Sequence, residues 1–307
     1  MNIKNRKILI TGGASFIGSH TADALIKNGA KVVIVDNFLT GRKENLNPEI
    51  KVYKANIVDS EIENIFKNEE PDFVYHFAFN RLFLKSVENP LLDMDSIVGS
   101  INLLNNARKI GIKKFIFPSS GFVYGKTEKL PMRETDSPNP ITPYAIAKYT
   151  VENYLKFFYE TYNLPYVILR YANVYGQRQN IGAMADYIQK LSSGKQAEIY
   201  GDGTMSRDYV NVSDIVEANL LALEVPEDYP NPIFNVGTGI ETTLNQLYQK
   251  IAELLNKKAD PIYLPGRSEE QRRYFLDYSR YFKAVGWKPE ISLDEGLKLT
   301  LRDKKLI

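Results

Sequence analysis

Short apolar runs rich in β-branched residues alternate along this chain with longer stretches of helical periodicity. Lys7-Ile-Leu-Ile-Thr11 is brief, apolar on successive positions and ended by glycines, the pattern of a strand buried on both faces. Apolar positions then recur at helical spacing from Ile17 to Lys27, and Gly29 closes that helix. Lys31-Val-Val-Ile-Val35 repeats the strand pattern. Further on the same reasoning predicts a short strand at Val52-Tyr53, a helix over Glu61–Asn68 and a strand over Asp72–Phe77. It places a long helix from Asn89-Pro90 to Ile110, with Leu92, Ile97, Ile101, Leu104 and Ala107 roughly along one face. A strand at Lys114–Phe117 ending in Pro118-Ser-Ser120, a helix over Pro143–Tyr162 and a strand at Tyr166–Arg170 follow.

Strands alternating with helices predict an α/β fold with a doubly wound parallel sheet. Ligands of such sheets bind beyond the carboxyl ends of the strands, where Thr11, Asp36, Phe77, Ser119, Ser120, Arg170 and Tyr171 fall. After Tyr171 the rhythm is less regular. A turn at Gly201-Asp-Gly203, a short strand at Asp208–Val210, a helix over Val212–Leu223, a strand at Ile233–Val236 and a helix over Leu244–Leu255 are expected, with short helices near Ser279 and Leu293. The expected organisation is a nucleotide-binding domain of residues 1–170 and 209–237, with a smaller discontinuous α/β substrate domain of residues 171–208 and 238–307.

The turn after the first strand reads Gly12-Gly13-Ala14-Ser15-Phe16-Ile17-Gly18, and the second strand ends at Asp36. A glycine run alone is equally an ordinary turn between strand and helix. Strand, helix, spacing and acid together describe a Rossmann-type dinucleotide site: the helix N-terminus receives the pyrophosphate, and Asp36 accepts from the adenosine ribose hydroxyls. A carboxylate there repels a 2′-phosphate, which favours NAD over NADP.

Tyr144 and Lys148 lie four apart on a helix whose first turn suits Pro143, so they share a face. An ammonium beside a phenol favours the phenolate and lowers a pKa that otherwise sits near ~10, making a base for an alcohol proton. The same spacing occurs on any amphipathic helix with an exposed lysine. Beside a nicotinamide site and a serine at a strand end, it describes alcohol oxidation by hydride transfer. Ser120 would hydrogen-bond the reacting oxygen, Tyr144 would remove its proton, and Lys148 would hold the nicotinamide ribose and tune Tyr144.

Composition narrows the field further. The 307 residues carry a net charge of +2, which leaves no footprint for nucleic acid or an anionic membrane. Cysteine is absent, which removes disulfides and thiolate chemistry, and two histidines, His20 and His76, argue against a histidine metal centre. No apolar run is long enough to span a bilayer, and the N-terminal run lacks the layout of a signal peptide, so a cytoplasmic protein is expected.

In these features the chain resembles the extended short-chain dehydrogenase/reductase family, most closely its NAD-dependent nucleotide-sugar epimerases of the UDP-glucose 4-epimerase type. The resemblance runs nearly end to end. It rests on Thr11-Gly-Gly-Ala-Ser-Phe-Ile-Gly-Ser-His20, Asp36-Asn37, Ser86-Val-Glu-Asn-Pro90, Ser119-Ser-Gly-Phe-Val-Tyr-Gly125 and Pro143-Tyr144 with Lys148. Leu169-Arg-Tyr-Ala-Asn-Val-Tyr-Gly176, Gly201-Asp-Gly-Thr-Met-Ser-Arg-Asp208 and Asn235-Val-Gly-Thr-Gly239 extend it.

The resemblance implies roles residue by residue. Ser120, Tyr144 and Lys148 take the catalytic positions. Gly12, Ser15, Phe16, Ile17, Gly18, Asp36 and Asn37 take cofactor positions, as do Asn56, Ile57, Phe77 and Ala78. Asn173 would contact the nucleotide diphosphate, Arg207 would clamp it, and Arg267 and Glu270 would grip the nucleotide. Tyr274, seven residues after Arg267, would fill the space beside the sugar C2 that an N-acetyl group needs, favouring UDP-glucose and UDP-galactose. Departures from the family pattern are Ser15 for Gly, Asn56 for Asp, Phe79 for a small residue, Ser96 for Asn and Glu269 for Gly. Related dehydratases carry Asp-Glu at the positions of Gly121-Phe122, and related decarboxylases carry Glu at the second. Neither residue here can ionise, whereas 4-epimerisation through a transient 4-keto sugar needs no further acid or base. A reductase, an epimerase of another nucleotide sugar, and a non-catalytic NAD- or nucleotide-sugar-binding module remain alternatives. The long helices 90–110 and 143–162 carry apolar residues on more than one face, including Phe157, Phe158 and Tyr159, which together with the resemblance implies a homodimer; a deeper core within one subunit would explain them as well.

Overall fold

Ile8, Leu9 and Ile10 are all buried in β1 (Lys7–Thr11), which is why this strand shows no alternation: successive side chains enter cores on opposite faces of one sheet. The computed structural model describes residues 3–80, 83–266 and 273–307. The chain continues through α1 (Phe16–Lys27), β2 (Lys31–Val35), β3 (Lys51–Tyr53), α2 (Glu61–Glu69), β4 (Phe73–His76), α3 (Phe83–Glu88), α4 (Met94–Ile110), β5 (Lys114–Ser120), α5 (Pro143–Tyr162) and β6 (Tyr166–Tyr171). It then passes through β7 (Asn173–Tyr175), α6 (Ala183–Ser192), β8 (Glu198–Tyr200), β9 (Ser206–Asn211), α7 (Val212–Leu221), β10 (Ile233–Val236), β11 (Glu241–Thr243), α8 (Leu244–Leu254), β12 (Ile262–Leu264), α9 (Ser279–Val285) and α10 (Leu293–Asp303).

Among the described residues the main sheet has seven strands in the order β3-β2-β1-β4-β5-β6-β10, every pair parallel. The fold is a Rossmann-type doubly wound α/β sheet. Its strand order reverses between β1 and β4, which opens a crevice at their carboxyl ends, where Thr11 pairs with His76. One face packs against α1, α7 and α9, with Ala22, Leu25, Ile215, Ala218 and Tyr281 in the core. The other packs against α2, α4 and α5 through Phe66, Leu104, Val151 and Leu155. A third apolar cluster lies outside the main sheet and joins α6, α8 and α10 to β8 and β9.

The structure departs from the sequence reading in two kinds of place. Asn89-Pro90 opens a 3-10 turn over Pro90–Asp93 rather than the α-helix itself, with Asn89 Oδ1 accepting from Leu91 N at 3.2 Å. The inward face of α4 is only partly the expected one: Leu104 and Ala107 are buried and Ile97 and Ile101 half-buried, but Leu92 is 41% exposed, and Ser96, Gly99, Ser100 and Leu103 join the buried face. Gly99 explains the choice, because a Cβ there would lie 2.3 Å from Ile57 Cγ1. Close approach of α4 to the loop after β3 demands small residues near its start, where Met94 and Val98 turn outward. The second kind comprises β7, β8, β11 and β12, each three residues long and too short to show periodicity, and helices α3 and α6.

Candidate active site

The turn between β1 and α1 is shaped by close backbone approach. Gly12 has φ +69°, and a Cβ there would lie 2.5 Å from Ala78 N; one on Gly18 would lie 2.3 Å from Gly12 O. Ser15, the bulkier substitute for the usual glycine, is the N-cap of α1, and its Oγ accepts from Gly18 N at 3.3 Å. Its side chain is thus turned onto the helix end, and the Phe16 and Ile17 N–H groups precede the first intrahelical acceptor. Asp36 closes β2, its Oδ2 accepting from Ala14 N at 2.9 Å and its Oδ1 from Phe38 N at 2.8 Å. Burial pushes its pKa up, and those two N–H groups pull against the rise. Asn37 Nδ2 donates to Asn56 Oδ1 at 2.6 Å, so the amide oxygen of Asn56 already serves a neighbour. Glycines that admit backbone where a Cβ would collide, a free first helical turn and a carboxylate at the end of β2 form a cradle that fits a dinucleotide.

On the floor of the crevice, the hydrogen-bond network around His76 fixes its tautomer. Ser100 Oγ donates to Ser96 O at 2.6 Å, so it must accept from His76 Nε2 at 2.8 Å. His76 Nδ1 is then left to accept from Thr11 Oγ1 at 2.7 Å. Burial, with repulsion from Lys148 second, pushes the imidazole down to about 3. Ser96 also accepts from Asn80 N at 3.0 Å, and Phe77 N donates to Thr11 O at 2.9 Å.

Helix α5 starts where it does because Thr142 Oγ1 accepts from Ala145 N at 3.4 Å and Pro143 occupies the first turn. One turn in, Lys148 is 4% exposed. Its Nζ donates to Pro118 O at 2.6 Å and lies 3.8 Å from the Phe79 ring centroid, 4.6 Å from that of Phe117 and 5.9 Å from that of Tyr144. The Phe79 ring meets Tyr144 edge to face, 5.9 Å between centroids at 89°. Phe79 was legible only as a departure from the family pattern; its contact with both helix residues is visible in the fold alone. Ser120 ends β5 opposite Tyr171, and its Oγ accepts from Phe122 N at 3.2 Å. Ser119 is committed elsewhere, its Oγ donating to Glu152 Oε1 at 2.6 Å.

Farther along the crevice, Asn173 begins β7 and Arg207 lies buried in β9, its Nη1 donating to Ser206 O at 2.8 Å. The buried carboxylate of Asp208, next in sequence, accepts from Thr238 N and Oγ1, Gly239 N and Leu276 N at 2.6–3.2 Å. This draws the segment of Tyr274 toward the sheet. Tyr274 is 1% exposed, its hydroxyl donating to Tyr171 O at 3.2 Å and its ring 5.2 Å from that of Phe122. A Cβ on Gly121 would lie 2.0 Å from the Tyr274 hydroxyl oxygen, so this side chain presses against the residue that follows Ser120. Arg267, Glu269 and Glu270 lie outside the described residues.

Fold and cradle together define a nucleotide-cofactor protein of the doubly wound class. The model of the NAD dependent epimerase/dehydratase family matches residues 8–237, and the chain belongs to that family, with NAD as its cofactor. A Methanocaldococcus jannaschii protein, provisionally assigned as a UDP-glucose 4-epimerase, is 41% identical over 297 residues, covering 95% of this chain and 96% of that one. The Thermotoga maritima UDP-glucose 4-epimerase, solved with UDP-glucose, superposes with a TM-score of 0.94 at 44% identity, covering 97% and 98% of the two chains. The UDP-N-acetylglucosamine 4-epimerase of Methanobrevibacter ruminantium, solved with UDP-N-acetylmuramic acid, gives a TM-score of 0.92 at 36% identity, covering 98% and 99%. Among the described residues no helix is long and apolar enough to cross a membrane.

His76 carries a testable pH dependence. Its folded pKa lies below the ordinary 6.5, so the unfolded chain binds the extra proton first, and stability falls as pH drops from 6.5 toward about 3. Unfolding free energies from urea titrations across this window should fall more steeply in wild type than in His76→Asn, by up to about 1.4 kcal/mol per pH unit. Parallel curves for the two proteins would show that the buried imidazole is not the acid-labile group.

Proposed function

We propose that the protein interconverts the C4 epimers of a UDP-hexose, UDP-glucose and UDP-galactose, with NAD bound in the cradle. The observation that carries this reading is the placement of Ser120, Tyr144 and Lys148 beside that cradle, with Gly121 and Phe122 offering no acid for loss of water or carbon dioxide. NAD when bound supplies a reversible acceptor for the C4 hydrogen. Tyr144 takes the proton of the C4 hydroxyl and later returns it, and Ser120 holds the same oxygen through its hydroxyl. Lys148, immobilised by the Pro118 carbonyl and two aromatic faces, keeps positive charge beside the phenol and holds the nicotinamide ribose. Asp36 accepts from the adenosine ribose. The 4-keto sugar formed between the two proton transfers turns over in the pocket, and the reaction is redox-neutral.

Residues 171–208 and 238–307 supply the sugar-nucleotide side in this reading; the separate apolar cluster supports a domain around α6, α8 and α10, while Tyr274, Tyr281 and Trp287 pack into the core of the main sheet. Asn173, Arg207, Arg267 and Glu270 hold the nucleotide, since guanidinium forks suit a diphosphate. Tyr274, pressed against Gly121, closes the space beside the sugar C2. The structural likeness to a UDP-N-acetylglucosamine epimerase supports a second reading, in which that space opens for an N-acetyl group. Leu92, Val98, Ile146 and Phe157 leave an apolar surface on the outer faces of the 3-10 turn before α4, α4 itself and α5, whereas Phe158 is core; we assign this surface to a second copy of the chain.

Three experiments test these statements. Purified protein given UDP-galactose should form UDP-glucose by NMR without stoichiometric NADH, and Tyr144→Phe should lower kcat by roughly 10²–10⁴-fold while UDP-sugar binding persists. Stoichiometric NADH, or full turnover by the variant, defeats the epimerase reading. Tyr274→Ser should raise kcat/KM for UDP-N-acetylglucosamine roughly ten- to a hundredfold; wild type that already uses both sugars equally rules out Tyr274 as the selector. Sedimentation at micromolar concentration should give the mass of a dimer, and a monomer there removes the assigned contact.

A further inference from the structure

We infer that Ser119 and Glu152 form a positioning device that sets the strand carrying Ser120 against the helix carrying Tyr144. The inference rests on the roles proposed above for those two residues. Tyr144, Lys148 and Glu152 follow one another at four-residue spacing along α5, a stripe advancing about 6 Å per step. The lower two members hold consecutive residues of β5. Lys148 Nζ donates to Pro118 O at 2.6 Å, and Glu152 Oε1 accepts from Ser119 Oγ at 2.6 Å. The next residue of the strand is Ser120. Helix and strand are therefore joined at two adjacent points, one residue before Ser120 on the strand and one helical turn after Tyr144 on α5.

Glu152 is anchored from the other side. Its carboxylate is fully buried and accepts from Arg170 Nε at 3.1 Å and from Arg170 Nη2 at 2.6 Å. Arg170 lies on β6 directly opposite Ser119. Burial works against the guanidinium's charge, and the Glu152 carboxylate outweighs it, so the arginine's pKa is held above its ordinary range. The guanidinium also lies 4.8 Å from the centroid of the Tyr124 ring, and Tyr124 OH donates to Asn235 Oδ1 at 2.8 Å on β10. The carboxylate is thus neutralised and fixed by the sheet without help from Ser119. A buried ion pair of this kind is costly to leave half-made, so it holds its geometry firmly. The hydroxyl of Ser119 adds little to that neutralisation; what it adds is a fixed distance between α5 and the last turn of β5. Because neighbouring side chains on a strand point to opposite faces, a rotation that frees Ser119 also re-aims Ser120.

Ser119→Ala removes this link and leaves the ion pair in place. In the holoenzyme turning over UDP-galactose, kcat should fall about tenfold, in keeping with the steep dependence of rate on alignment. KM and the urea midpoint should stay close to wild type. Ser119→Thr retains a hydroxyl at the same position and should restore kcat to within about threefold of wild type, the level a retained link permits. Crystal structures of wild type and Ser119→Ala, compared without reference to activity, should show the Ser120 hydroxyl displaced relative to Tyr144. The device is refuted if Ser119→Ala turns over like wild type, if Ala and Thr variants are equally impaired, if only KM changes, or if Ser120 does not move. Should wild type fail to act on any UDP-hexose, the proposed reaction falls, and the crystallographic comparison alone still decides the positioning role.

Discussion

An ammonium group that is almost entirely buried must be compensated, and the compensation of Lys148 organises this molecule's centre. A backbone carbonyl of β5 and the faces of Phe79 and Phe117 surround it. Pro118 lies beyond Ile116, the last residue of β5 that pairs with β4, and aromatic faces carry the negative side of their quadrupole toward the cation, worth about 2 kcal/mol when water is excluded. In the proposed reaction this burial sets the lysine's charge beside Tyr144, where it favours the phenolate.

The same economy of contact shapes the cofactor side. The turn after β1 brings backbone within van der Waals distance of the chain after β4, so Gly12 tolerates no Cβ, and Gly18 meets the turn's own carbonyl. Ser15, which a comparison of motifs marks as bulky, does not crowd this space because its hydroxyl caps α1. Phe79, likewise marked as oversized, becomes the wall that Lys148 leans on. Two residues that read as defects in the pattern are, in the fold, a helix cap and a cation's neighbour.

Distance along the chain is bridged by a few buried polar hubs. Asp208 ties β9 to the segments after β10 and before α9, and so carries Tyr274 to Gly121, more than 150 residues away in sequence. Arg170 and Glu152 join β6 to α5 within the sheet's own layers. Each hub is a buried charge held by several hydrogen bonds, which makes it rigid: a partial rearrangement would strand donors or acceptors away from water.

The local chemistry was legible without the fold. Buried strands such as Lys31–Val35, the helix Pro143–Tyr162 with its proline in the first turn, the glycine turn and Asp36 follow from periodicity, propensity and backbone sterics, all of which act between near neighbours. The strands β7, β8, β11 and β12 and the inward turn of Ser96, Gly99 and Ser100 on α4 were not legible, because their causes are remote. Gly99 must be small on account of Ile57, and β7 and β11 exist only because β9 pairs with them. The resemblance singles out Ser120 of two adjacent serines, but what Ser119 does was not legible: its hydroxyl goes to the Glu152 carboxylate of the buried Glu152–Arg170 pair. Sequence neighbours set the elements and the chemistry on offer, while contacts between distant residues chose the faces and gave each side chain its partner.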